Sequence, residues 1–250
     1  MKILGIIPAR YASSRFPGKP LADIAGKPMI ERVYDRCRKA KSLSDVVVAT
    51  DDKRIFDAVE KFGGNVILTS GYHLNGTSRC AEVLENYKTD ENFDVIINIQ
   101  GDEPLIHPEQ IDELASLFSN SEIELATLVK RETDLTLLEN GHIVKAFPDD
   151  HAVAVAFYRI IEEENLLNRI KADGFFYKHI GIYGFKAMTL QKIVTLSPTE
   201  HEQTFHLEQY RWLDNGYTIK TGITPFESRS VDTPEDAVEV SQIIRHSQPA

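Results

Sequence analysis

The chain has 250 residues, 42% hydrophobic and 26% charged, with a formal net charge of −10, enough for a substantial core and ordinary for a globular enzyme. The acidic balance argues against broad nucleic-acid binding and against attraction to an anionic membrane surface. The opening "MKILGIIPAR" is too short for a signal peptide or a spanning helix, no later stretch approaches a span, and Cys37 and Cys80 lack the spacing of a zinc site or a disulfide framework, so a reduced, cytoplasmic setting is expected.

Short apolar runs alternate with helical patterns, which predicts an α/β fold with a mainly parallel sheet. "KILGII" reads as a buried strand. "KPMIERVYDRCRKAK" reads as a helix with Met29, Ile30, Val33, Tyr34 and Cys37 on one face and Pro28 near its first turn. "DVVVAT" is a second strand; Asp51 or Asp52 caps the helix "KRIFDAVEKFGG", which Gly63 and Gly64 end. "NVILT" is a third strand, followed by a polar loop with Arg79, and "FDVIINIQGDEP" a fourth strand that runs straight into acids. Pro108 opens the helix "PEQIDELASLF". Strands then come in closer succession: "ELATLVK", "HIVKAF", "AVAVAFYRI" and "FYKHIGIYGF" suggest a mixed or β-rich portion at about 120–225. One helix around "TFHLEQYRWLDNG" stops at Asn215-Gly216, "YTIKTGIT" is a last strand, and "VDTPEDAVEVSQIIRHS" is a helix with Thr233 as N-cap, Pro234 at its first position and Asp236 completing a capping box. No repeat or flexible linker interrupts the chain, so residues 1–250 are expected to form one unit, with "SQPA" frayed.

Three motifs carry chemistry. "IPARYASSRFPGKPL" follows a strand and gathers Arg10, Arg15 and Lys19 in one loop, with small residues Ala12, Ser13, Ser14 and Gly18 between them. Clustered cations repel unless an anion sits among them, and small residues let the backbone approach it, so this loop reads as a polyphosphate cradle at the carboxyl edge of the sheet. It is neither a Walker loop nor a dinucleotide fingerprint, since their glycine patterns are missing. "NIQGDEP" delivers Asp102 to the same edge, as a ligand for the Mg²⁺ that accompanies triphosphates. Asp232 in "VDTPED" completes the metal site if it meets Asp102.

Together, "IPARYASSRFPGKPL", "GKPMI", "VATDD", "NGTSR", "NIQGDEP", "KHIGIYGF", "LEQYRWL" and "VDTPEDA" resemble, in order and spacing, the CMP-Kdo synthetases (3-deoxy-manno-octulosonate cytidylyltransferases) over about residues 1–240. The resemblance implies a nucleotide-diphospho-sugar transferase fold, a Rossmann-like, mixed but mostly parallel sheet flanked by helices, in a homodimer built partly through the later β region. It implies that Arg10, Ser14, Arg15 and Lys19 hold the CTP phosphates and that Arg79 and Gln100 lie around the cytidine. Asp102 and Asp232 then bind the metal, Lys19, Arg15 and the two aspartates carry catalysis, and Arg159, His179, Tyr183, Glu208 and Gln209 meet a 3-deoxy-2-ulosonic acid sugar.

Three departures stand out. The family's S-G-T-[DE]-R is Asn75-Gly76-Thr77-Ser78-Arg79 here, losing an acid. A-L-Y-F-S-R followed by I-P reads Ala154-Val155-Ala156-Phe157-Tyr158-Arg159 and then "IIEEENLLNR", and "SPTEHEQTFHLEQ" runs two residues long. The expected activity is Mg²⁺-dependent transfer of CMP from CTP to Kdo, activating the sugar for lipopolysaccharide synthesis. The run Glu162–Glu164 leaves open an 8-amino-Kdo substrate; a CMP-sialate type synthetase and a silent nucleotide-binding paralogue are the further alternatives.

Overall fold

Strand β1 (Ile3–Ala9) is buried almost throughout, as a strand covered on both faces must be. Parallel neighbours flank it, β4 (Asp45–Thr50) on one side and β6 (Val95–Asn98) on the other, and β5 (Val66–Leu68) lies parallel at the edge. The computed structural model describes residues 1–13, 15–87, 92–227 and 229–247. A two-residue pair, β2 (Asp23–Ile24) with β3 (Lys27–Pro28), forms a small hairpin that the sequence pattern does not disclose.

Beyond β6 the pairing changes sign. β10 (Phe176–Lys186) runs antiparallel to β6 and to β7 (Leu125–Glu132), and β11 (Ile219–Ile223) lies parallel to β7. β9 (Val153–Tyr158) is antiparallel to β11, and β8 (Lys145–Pro148) pairs with both β9 and β10. The nine strands form a single sheet in the order β5-β4-β1-β6-β10-β7-β11-β9-β8. This is the mixed Rossmann-like sheet expected: parallel where the sequence alternates strand and helix, mixed where strands follow closely.

The period of two along β1 sends alternate side chains to opposite faces. Ile3 and Ile7 meet α1 (Met29–Cys37) and α4 (Pro108–Leu117) through Ile30, Val33, Cys37, Ile111 and Leu114. Leu4 and Ile6 join the opposite cluster, with Cys80 and Val83 of α3 (Gly76–Asn86), Leu190 of α6 (Ala187–Ile193) and Trp212 of α8 (Gln209–Asp214). Cys37 and Cys80 are free, buried, and pushed up in pKa by that burial, consistent with apolar fillers.

Three expectations need correction. Arg79 lies on α3 rather than on a polar loop. The helix expected around "TFHLEQYRWLDNG" is two, α7 (Glu200–Phe205) and α8, because His206 adopts a left-handed conformation at φ 53° and ends the first. β8 is shorter than "HIVKAF". Two of the three acids Glu162–Glu164 precede α5 (Glu164–Asp173) and the third opens it, all exposed. α2 (Lys53–Lys61) is capped by Asp52, which accepts from Arg54 N–H at 2.9 Å. The last helix, α9 (Pro234–Ser247), starts at the expected proline. The fraying expected of "SQPA" concerns Gln248–Ala250, outside the described residues.

Candidate active site

The carboxyl ends of β1 and β6 open onto a cavity of about 290 Å³ lined by Arg10, Arg15, Lys19, His73, Asn75, Gly76, Arg79, Gln100, Asp102 and Asp232, among others. The loop after β1 is shaped by Gly18, whose φ of +75° is left-handed; a Cβ there would also meet the Tyr11 ring at 2.9 Å. Its carbonyl partner is local, with Gly18 N–H donating to Tyr11 O at 2.8 Å. The Tyr11 ring is in turn covered by the Arg54 guanidinium, 3.3 Å from its centroid. After β6 the chain passes so close to β1 that a Cβ at Gly101 would lie 2.6 Å from Pro8 O. Only glycine allows the turn that aims Asp102 into the cavity.

Lys19 is the centre of the arrangement. Its ammonium, with the side chain 14% exposed, donates to Asp102 Oδ2 at 2.6 Å, to Asp232 Oδ1 at 3.2 Å and to Val231 O at 3.2 Å. Arg15 Nη2 reaches Asp232 Oδ1 at 2.9 Å. A backbone hydrogen bond from Val231 N–H to Asp102 O, at 2.8 Å, sets the two acidic segments side by side across more than half the sequence. The α9 cap then holds Asp232: Asp236 Oδ2 accepts from the Asp232 and Thr233 N–H groups, and Thr233 Oγ1 accepts from Asp236 N–H.

Arg79 is 4% exposed, yet its guanidinium faces the cavity, anchored by Thr69 Oγ1 and by Asp51 Oδ1 at 3.2 Å. Gln100 Nε2 donates to Gly181 O at 2.8 Å, at the bulge where β10 slips against β7. Ser14 lies outside the described residues; its neighbour Ser13 lines the cavity.

None of the residues assigned to the sugar is on the wall of this cavity. Glu208 Oε2 accepts from Thr77 Oγ1 at 2.9 Å, and burial pushes its carboxyl up to about 7 although that hydrogen bond opposes the rise. Gln209 is 5% exposed. Thr127 Oγ1 donates to Ile182 O at 2.7 Å, so His179 Nε2–H donates to Thr127 Oγ1 at 2.9 Å; burial holds the imidazole down at about 3, neutral at physiological pH. His179 and Tyr183 rings lie 5.3 Å apart, and Tyr183 meets Trp212 edge-on at 5.0 Å. The buried Tyr183 hydroxyl and Asn98 Oδ1 have no hydrogen-bond partner among the described residues. Such orphans cost about 1–3 kcal/mol each and mark places for ligand or water. Asn98 sits opposite Tyr183 in register and against Gly76 of the cavity wall, which links the cavity to the Tyr183 cluster. Arg159 is set apart, exposed, and donates to Gly141 O at 3.4 Å.

Sequence reasoning missed His73, Asp51 and Thr69. Asp51 was visible beside a helix cap in "VATDD"; nothing local distinguishes His73 or Thr69. Among the described residues no group of three or more His, Cys, Asp or Glu side chains converges to hold a metal. Two aspartates bound to one ammonium remain, a hard-oxygen pair sufficient for Mg²⁺, which takes one or two protein carboxylates and completes its shell from phosphates and water.

The mixed sheet, with a cation loop after β1 and an acid after β6, has the fold of the nucleotide-diphospho-sugar transferases. The chain superposes with a TM-score of 0.69 on a putative glucose-1-phosphate thymidylyltransferase of Bacillus anthracis, 15% identical, covering 99% of this chain and 97% of that one. A far nearer structure is CMP:2-keto-3-deoxy-manno-octonic acid synthetase complexed with CTP, with a TM-score of 0.91 and 35% identity over 99% of this chain and 100% of that one. The cytidylyltransferase family pattern matches residues 4–220. A protein of Parabacteroides distasonis named 3-deoxy-manno-octulosonate cytidylyltransferase is 47% identical, over 94% of this chain and 95% of its own length. The chain belongs to the 3-deoxy-manno-octulosonate cytidylyltransferase family and is a nucleotidyltransferase.

Proposed function

We propose that the chain transfers CMP from CTP to 3-deoxy-manno-octulosonate (Kdo), releasing diphosphate and supplying an activated sugar for lipopolysaccharide assembly. The observation that carries this reading is the single cavity in which Arg10, Arg15, Lys19, Arg79 and Gln100 meet Asp102 and Asp232. The C2 hydroxyl of the sugar attacks the α-phosphorus and loses its proton to solvent; the bond from that phosphorus to the bridging oxygen breaks and pyrophosphate leaves. The protein's part is alignment and charge neutralisation. Lys19, Arg10 and Arg15 offset the charge gathering on pyrophosphate, while Arg79 and Gln100 border the nucleoside. Asp102 and Asp232 are the residues that would hold Mg²⁺, which when bound neutralises phosphate charge and lowers the pKa of a coordinated hydroxyl. Glu208, Gln209, His179 and Tyr183 supply acceptors and donors for sugar hydroxyls. Arg159 enters the sugar assignment through the family motif alone.

A homodimer in the cytoplasm completes the proposal. The family resemblance implies both, and among the described residues no helix is long and apolar enough to cross a membrane. We infer likewise that residues 1–250 work as one unit. Glu162, Glu163 and Glu164 are exposed, as a solvated acidic run is, and the relatives named for plain 3-deoxy-manno-octulosonate support Kdo over its 8-amino analogue.

Pyrophosphate release with CTP, Mg²⁺ and a panel of keto-acid sugars tests the assignment. Kdo is expected to give the highest kcat/KM. Preference for sialic acid or for 8-amino-Kdo, or CTP binding without turnover on any sugar, would contradict it.

A further inference from the structure

Residues 70–76 lead from β5 into α3 and supply the cavity wall His73–Gly76, and apolar packing does not account for their position. Tyr72 is 94% exposed and Leu74 88% exposed, so the two large apolar side chains of this loop bury almost nothing and cannot fix it. What ties it down is polar and centres on Glu82 of α3. Its carboxylate oxygens accept from Ser70 N–H at 3.1 and 3.0 Å, and Oε2 also accepts from His73 Nε2. The other ring nitrogen, His73 Nδ1, is hydrogen-bonded to Ser78 Oγ at 3.1 Å. Ser78 also closes the first turn of α3, with its hydroxyl 3.2 Å from Asn75 O and its N–H donating to Asn75 Oδ1 at 2.9 Å. Ser78 is the residue that stands where the family pattern carries an acid.

We propose that His73 is a positioning residue for the nucleotide: through Glu82 on one side and Ser78 on the other, it holds the wall His73–Gly76, and with it the α3 turn bearing Arg79, at the geometry CTP needs. The imidazole is a cavity-lining group whose side chain is only 15% exposed, and both of its nitrogens are spent on the protein. It therefore acts through the wall rather than on the reacting atoms. Burial pushes Glu82 up, but the hydrogen bonds from His73 and Ser70 N–H outweigh it and hold the carboxyl below its usual range, so the anchor is an anion at neutral pH. A hydrogen bond to such an anion contributes more than a neutral one, and here no apolar burial backs it up.

The inference rests on the cavity being the CTP site, and steady-state pyrophosphate release separates the two. With Kdo and Mg²⁺ saturating, His73→Ala and Glu82→Gln are each expected to raise KM for CTP about tenfold, while kcat falls by less than about threefold and KM for Kdo stays within about twofold. The double variant is expected to match the worse single one, since both remove the same device. His73→Gln, which keeps a donor and an acceptor at similar reach, is expected to recover most of the loss. A KM for CTP within about twofold of wild type in His73→Ala, multiplying effects in the double variant, or a loss confined to kcat and melting temperature would each overturn the proposal. If His73→Ala fails to fold, Glu82→Gln decides the matter through the same change in KM. A wild-type enzyme indifferent to CTP would instead refute the parent reading.

Discussion

Lys19 shows how one side chain can hold a site ready. Its ammonium sits between Asp102 and Asp232 and prevents two carboxylates from facing each other unscreened. Lys19→Met is expected to lower kcat/KM by about 10²–10³, because a cation beside the departing pyrophosphate is lost; pyrophosphate-release kinetics measure it. Glu208 makes a pH-dependent prediction. Burial raises its folded pKa from 4.5 to about 7, so the folded state holds the proton more tightly than the unfolded one. The stability tied to that proton is complete below the unfolded value and is lost as pH rises through about 7. Glu208→Gln is expected to melt a few degrees above wild type at about pH 8 and level with it at about pH 4, by thermal melts at both. At this scale the cation loop was legible, since Arg10, Arg15 and Lys19 stand close in sequence and line one cavity. Arg79 was legible as a motif but not as a buried helical residue, because its cover comes from Thr69 and Asp51 on other segments. His73 was not legible: its partners lie on the far side of a turn and one helical turn further on.

Capping decides where the last acid stands. Asp236 closes the N-terminus of α9 and binds the backbone N–H of Asp232 itself, so the helix start and the position of Asp232 depend on one carboxylate. Asp236→Ala is expected to cost about 1 kcal/mol of stability by denaturant unfolding. It should also lower kcat/KM for CTP, because Asp232 loses its tether; unchanged kinetics with the stability loss would show that the Lys19 contact alone fixes Asp232. The α9 cap was readable from "VDTPED", as were α1, α2 and α4 from periodicity and the flanking prolines, Asp and glycines. The break between α7 and α8 was not, since it depends on a left-handed histidine, a conformation no composition rule assigns to His206. Nor was the β2–β3 hairpin, whose two-residue strands are too short to carry a period.

Across the molecule, β6 and β10 pair antiparallel and join the parallel first half of the sheet to its mixed second half. Urea unfolding of the whole chain is expected to show one transition by both tryptophan fluorescence and circular dichroism; separate midpoints would mean that the halves unfold independently. The alternation of strand and helix made the first half readable, whereas the order of β7, β9, β10 and β11 depends on long-range pairing that no local pattern encodes. The pairing of Asp102 with the Val231–Asp232 segment belongs to the same class of long-range facts. The most direct test of the convergence is pyrophosphate release from CTP and Kdo, with and without Mg²⁺, by the wild type and by Asp102→Ala and Asp232→Ala. Wild-type turnover should require the metal, and each variant should lose turnover while its melting temperature stays within about 3 °C. Full turnover by either alanine variant would contradict the assignment of these two acids to one metal-bound triphosphate.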